Sequence, residues 1–146
     1  MKLIRTANNI DFFAPDTNSE LSVPLTEGIK AGFPSPAQDY IDIALDLNKE
    51  LVKNPSSTFY GRVRGNSMID AGINDGDILV IDKSLSPTDG KKAVCYIDGE
   101  FTIKTLKVTK NELLLMPANP NFKPIKVTEE NDFMVWGIVT YVIHKL

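Results

Sequence analysis

Few residues in this sequence can do chemistry, and elimination narrows them quickly. His144 is the only histidine, so any Ser-His-Asp or Cys-His arrangement would have to be built on it; we read it as a surface residue. Cys95 is the only cysteine. It sits in the apolar run Ala93-Val94-Cys95-Tyr96-Ile97 and reads as a small buried hydrophobe. The acidic stretch Asp70-Ala-Gly-Ile-Asn-Asp-Gly-Asp77 fails the calcium-loop pattern. Gly72 and Asp75 stand where a ligand and the glycine belong, and Ile81 stands where the bidentate glutamate belongs. It reads as a turn between strands. There are no paired cysteines for zinc, and no Walker, G-x-G-x-x-G, Ser-x-x-Lys or G-x-S-x-G pattern. No metal or cofactor is expected.

What remains is Gly65-Asn66-Ser67-Met68, at the end of an apolar strand-like run. Gly65 lets the backbone bend there or another chain approach, and consecutive amides after it could converge on one oxygen. A glycine followed by serine is weak evidence alone. A serine hydroxyl also needs a base, and without histidine the best candidate is a neutral lysine. Burial lowers a lysine's pKa because it disfavours the charge. Lys104 interrupts the apolar run Phe101-Thr-Ile-Lys-Thr-Leu106 and by strand alternation shares a face with Thr102 and Leu106. It fits that role; it also fits an edge-strand lysine that snorkels to water. A third element, Ala31-Gly32-Phe33-Pro34, presents a peptide bond between small residues, with extended geometry favoured at Phe33 by Pro34.

The elements that would position these residues are mostly strands. The spans 59–64, 77–82, 92–97, 101–108, 113–116, 125–128 and 133–145 are short and rich in Val, Ile, Tyr and Phe. Asp98-Gly99 between two apolar runs predicts a two-residue hairpin. The spacing predicts a closed or strongly curled β-structure. Residues 35–53 predict a helix. Ser35 would be its N-cap, with Pro36 at the first position and Gln38 completing a capping box, followed by Tyr40, Ile43, Ala44, Leu47 and Leu51 at helical spacing. Residues 1–31 predict an irregular or extended arm rather than a domain.

At 146 residues the chain has the size of one domain, with 42% hydrophobic and 24% charged residues, ordinary globular usage. The net charge is −3 and the densest basic pair is Lys91-Lys92, which argues against gripping a phosphate backbone. A lone cysteine suits a reducing compartment. The N-terminus lacks the apolar stretch of a signal peptide, and no segment is long enough to span a bilayer. A cytoplasmic protein without membrane attachment is expected.

In order and spacing these elements resemble the UmuD branch of the LexA-type self-cleaving peptidases, from about Ala31 to His144. The resemblance is carried by three stretches. They are Ala31-Gly32-Phe33-Pro34-Ser35-Pro36; Gly65-Asn66-Ser67-Met68-Ile69-Asp70 with Gly72-Ile73 and Asp75-Gly76-Asp77; and Asp98-Gly99-Glu100-Phe101-Thr102-Ile103-Lys104. Two departures are small. Asn66 stands where relatives often have aspartate or methionine, and Ala31 replaces a cysteine seen in some UmuD proteins, alanine being usual at LexA-like sites. The resemblance implies a mainly β, LexA/signal-peptidase-like curled structure with one short N-terminal helix and an extended N-terminal arm. It implies a serine endopeptidase in which Ser67 attacks the Ala31–Gly32 bond, Lys104 takes the proton, and the amides of Asn66 and Ser67 hold the oxyanion. Cleavage would remove residues 1–31 and leave 32–146 as the peptidase and dimerisation domain. It further implies stimulation by a RecA filament on single-stranded DNA in the SOS response. The shortened homodimer would then act with a Y-family, UmuC-like polymerase subunit in error-prone translesion synthesis.

Three other readings compete. A LexA-like repressor needs a DNA-reading helix-turn-helix ahead of the peptidase, which residues 1–31 do not supply, so no sequence-specific DNA binding is expected. A signal peptidase needs a membrane anchor. A catalytically silent β-domain serving as a regulatory or binding partner is the rival from another functional class.

Overall fold

In a computed structural model the described residues are 2–6, 10–16, 22–26, 42–65 and 71–146. They form β1 (Lys2–Thr6), β2 (Ile10–Ala14), β3 (Ser22–Thr26), β4 (Asp42–Asp46), α1 (Leu47–Leu51), β5 (Thr58–Val63), β6 (Ile78–Asp82), β7 (Lys92–Ile97), β8 (Glu100–Val108), β9 (Leu113–Met116), β10 (Ile125–Lys126) and β11 (Phe133–Ile143). The fold is mainly β, as the strand pattern predicts. Nine strands make one open antiparallel sheet in the order β1-β2-β5-β6-β11-β7-β8-β9-β10. The chain divides into two compact units, Met1–Asp16 with Asn54–Leu146, and Thr17–Lys53.

The predicted strands from residue 58 onward fall within a residue or two of their observed bounds, apart from 125–128, which pairs only over Ile125–Lys126. Alternation explains the agreement. On β7, Val94 belongs to one apolar cluster with Ile10, Phe12, Val63, Ile73, Leu79, Ile81, Phe101 and Ile103. Its neighbours Ala93 and Cys95 belong to a second cluster with Leu106, Leu115 and Ile138. The middle of the sheet is therefore buried on both faces. Two bulges in β11, between Val135 and Gly137 against β7 and between Val139 and Tyr141 against β6, interrupt the register and increase its twist. Gly137 is required there, since a Cβ would lie 2.5 Å from Ile81 Cγ2. The sheet curls far enough that the Phe12 ring of β2 sits 5.0 Å from that of Phe101 on β8 and 4.4 Å from that of Trp136 on β11.

One sequence expectation needs correction. Of the predicted helix, residues 42–53 are described, and within them only Leu47–Leu51 is helical, capped by Asp46, whose carboxylate accepts from the amides of Asn48 at 3.0 Å and Lys49 at 3.4 Å. Residues 42–46 are strand, paired antiparallel with β3 in a register that sets Leu45 against Val23 and Ile43 against Leu25 along the backbone ladder. Asp-Ile-Ala-Leu-Asp alternates as well as it follows helical spacing, and a partner strand of the same alternation, Ser-Val-Pro-Leu-Thr, decides between them. Ser35, Pro36 and Gln38 lie outside the described residues. The first residues are extended as expected, yet they are integral to the sheet, because β2 pairs with β5 from Ile10↔Val63 to Phe13↔Tyr60.

Candidate active site

Lys104 lies on β8, which is flanked by β7 and β9 and is therefore not an edge strand. Its place is set by the β7–β8 hairpin. Asp98 and Gly99 adopt φ of 49° and 91°, the two positive values that a two-residue turn of this hand needs, and Ile97 pairs with Glu100. Asp98 is held by more than its own turn. Its carboxylate accepts from Asn131 Nδ2 at 2.7 Å and from the Asp132 amide at 2.9 Å. Six pairs along this ladder bring Lys104 opposite Ala93, on the same face as Cys95 and Leu106.

There Lys104 is 5% exposed. Among the described residues no carboxylate is ion-paired with it. Its Nζ stands 5.6 Å from the centre of the Phe122 ring, from the loop after β9. Burial holds its ammonium below the usual lysine range because the charged form loses hydration without a counter-ion. Cys95 cannot supply one near neutrality, since burial pushes its thiol up to about 12. The choice between a snorkelling edge lysine and a desolvated interior amine is settled for the second.

Ser67, Asn66, Ala31 and Gly32 lie outside the described residues; the flanks of the serine segment are within them. At the end of β5, Val63 donates to the Asp77 carbonyl at 2.9 Å and accepts from the Gly76 amide at 2.8 Å. Gly65, at φ 105°, bends the chain where only glycine does so without strain, and its amide donates to Asp75 Oδ1 at 3.0 Å. The acidic stretch is thus the turn it was expected to be. Among the described residues no cluster of His, Cys, Asp or Glu could hold a metal.

His144 lies at the surface, as expected, but has a buried partner. His144 Nδ1 is 2.6 Å from Asp77 Oδ1, and Asp77 is 2% exposed. The other oxygen of Asp77 accepts from the Asn74 amide at 2.8 Å. His144 is 46% exposed, so its surface position was correctly read. Its partner is 67 residues away, and no local pattern announces it.

The described residues thus make a curled antiparallel β-domain with a lysine buried on an interior strand and no carboxylate among them ion-paired with it. The comparisons give its family. The Peptidase S24-like family model matches residues 24–140. Protein SamA of Salmonella typhimurium is 42% identical over 82% of this chain and 83% of its own length. Protein MucA of Escherichia coli is 40% identical over 90% and 92% respectively. The LexA repressor of Stenotrophomonas maltophilia is 35% identical over 81% of this chain but 56% of its own length. The chain belongs to the S24-like peptidase family, as a UmuD-like member, and at family level it is a self-cleaving serine peptidase. No helix among the described residues is long and apolar enough to cross a membrane.

Proposed function

We propose that Ser67 and Lys104 form the catalytic dyad and cut the Ala31–Gly32 bond. Ser67 Oγ attacks the Ala31 carbonyl carbon while neutral Lys104 takes the hydroxyl proton. The amides of Asn66 and Ser67 hold the oxyanion. Lys104 then passes its proton to the departing Gly32 amine, and water hydrolyses the ester left on Ser67. The chain is divided into an arm, 1–31, and a peptidase and dimerisation domain, 32–146. The observation that carries this reading is the burial of Lys104 without a counter-charge among the described residues. That state disfavours its protonated form and so supports its use as a base.

The relatives support a role at one remove. We infer a cytoplasmic, SOS-linked protein whose cleavage is stimulated by RecA on single-stranded DNA. Its cut form, as a homodimer, serves a UmuC-like Y-family polymerase subunit. Support for this is the similarity to MucA over nine-tenths of both chains.

Incubating the purified chain across a pH series tests the chemistry. Because the Lys104 pKa is depressed, the neutral fraction grows as pH rises through it, so cleavage accelerates with pH and levels off before the ordinary lysine value of about 10.4. Mass analysis should find a new N-terminus at Gly32. A chain that stays intact throughout the series, with and without RecA, nucleotide and single-stranded DNA, is the silent β-domain instead.

A further inference from the structure

The N-terminal strands are bound more deeply than a disposable arm requires. Ile10 and Phe12 on β2 are each 1% exposed. Phe12 packs on Phe101 and Trp136. Ile10 fills a notch that exists because residue 61 is glycine: a Cβ there would stand 2.5 Å from Ile10 Cδ1. Between them Asp11 meets Arg64 through two oxygens, at 3.0 and 3.2 Å. On β1 the Arg5 guanidinium lies 4.7 Å over the Phe101 ring. Beyond β2 the next strand is β5, so departure of β2 would open the β5 edge and uncover the apolar wall behind it.

We propose that the β5 edge is a strand-binding site whose occupant is residues 10–14, and that this segment stays seated there as a noncovalent strand after the chain is cut behind it. This rests on the cleavage reading above. Hydrolysis breaks one C–N bond, water giving its hydroxyl to Ala31 and a hydrogen to Gly32; it touches none of the contacts just described. The ladder from Ile10 to Phe13, the Ile10 notch and the Phe12 plug are all made by residues N-terminal to the cut. Self-cleavage therefore yields a nicked two-chain protein. The β5 edge opens only when the arm unpairs or another extended strand of apolar-polar-apolar pattern displaces it, main-chain bonds giving affinity and the two pockets giving selectivity.

The test uses the full chain cut in two ways: by its own activity at raised pH, and by an unrelated protease at a recognition sequence inserted between residues 16 and 22. Native gel filtration followed by mass analysis should show the N-terminal fragment co-eluting with the remainder after either cut. A labelled peptide of residues 2–16 should exchange into the cut protein slowly, and the same peptide with Phe12→Ala should compete roughly 100-fold less well. Asp11→Lys in the full chain should hasten fragment loss. A fragment that elutes alone from the wild-type protein immediately after cutting, or a Phe12→Ala peptide that competes equally, overturns the proposal. Failure of self-cleavage, with and without RecA, nucleotide and single-stranded DNA, would refute the dyad, while the inserted site would still decide retention.

Discussion

Lys104 is buried, with no ion-paired carboxylate among the described residues. A buried amine without a counter-ion costs stability whenever it is protonated. The sign is definite: the unfolded chain binds the proton more tightly than the folded one, so stability rises as pH climbs from the depressed folded value towards about 10.4. Lys104→Met should therefore stabilise the fold at pH 7. In denaturant titrations at several pH values this gain should shrink towards pH 10. The same substitution should reduce self-cleavage by roughly 10²- to 10⁴-fold, the span of a lost general base. Ser67→Ala should abolish cleavage with the unfolding midpoint unchanged. Persistent cutting in Ser67→Ala would remove the proposed nucleophile.

Elements hold the site through a few buried polar anchors. Asp77 fastens the turn after the serine segment by accepting from Asn74 and meeting His144. His144→Ala should cost about 1–3 kcal/mol, since it takes a partner from an oxygen of the buried Asp77, and Asp77→Ala about 0.5–1.5 kcal/mol, since the groups it leaves, His144 and the Asn74 amide, are not buried. Equal costs would mean that the pair is not organised in this way. Asp82, at the end of β6, accepts from Ser84 through hydroxyl and amide, from Asn54 and from Ser57. Burial pushes its carboxyl up, but these hydrogen bonds prevail and hold it below the ordinary value. Its stabilisation is present above the unfolded value, near 3.9, and is lost as pH falls through the lower folded one. Asp82→Ala should thus weaken the protein at neutral pH, with the difference from wild type closing in acid unfolding curves below about pH 4.

At the scale of the molecule, the first fourteen residues complete the sheet. Deleting residues 2–14 strips Ile10 and Phe12 from the core and should cost about 3–6 kcal/mol, at about 1.5–3 for each buried side chain. A chain lacking them that melts with the full-length protein would contradict the packing of Phe12 against Phe101 and Trp136. The sequence could not announce this role. Ile10 and Phe12 alternate over only a few residues, and their partners lie on β5, β8 and β11. By contrast, the β7–β8 hairpin was legible because Asp98-Gly99 and its flanking alternation are all local.

By itself the sequence determined the strand-rich class and the turn at Asp98-Gly99, and it put forward Ser67 and Lys104 as the proposed dyad, because residue type, period and turn geometry act over a few neighbours. Tertiary structure alone decided that β8 is interior and Lys104 desolvated, that His144 belongs to Asp77, that residues 42–46 are strand and that β2 is core. Each of these depends on which distant segment arrives to exclude water or complete a ladder, and a single strand carries no record of its neighbour.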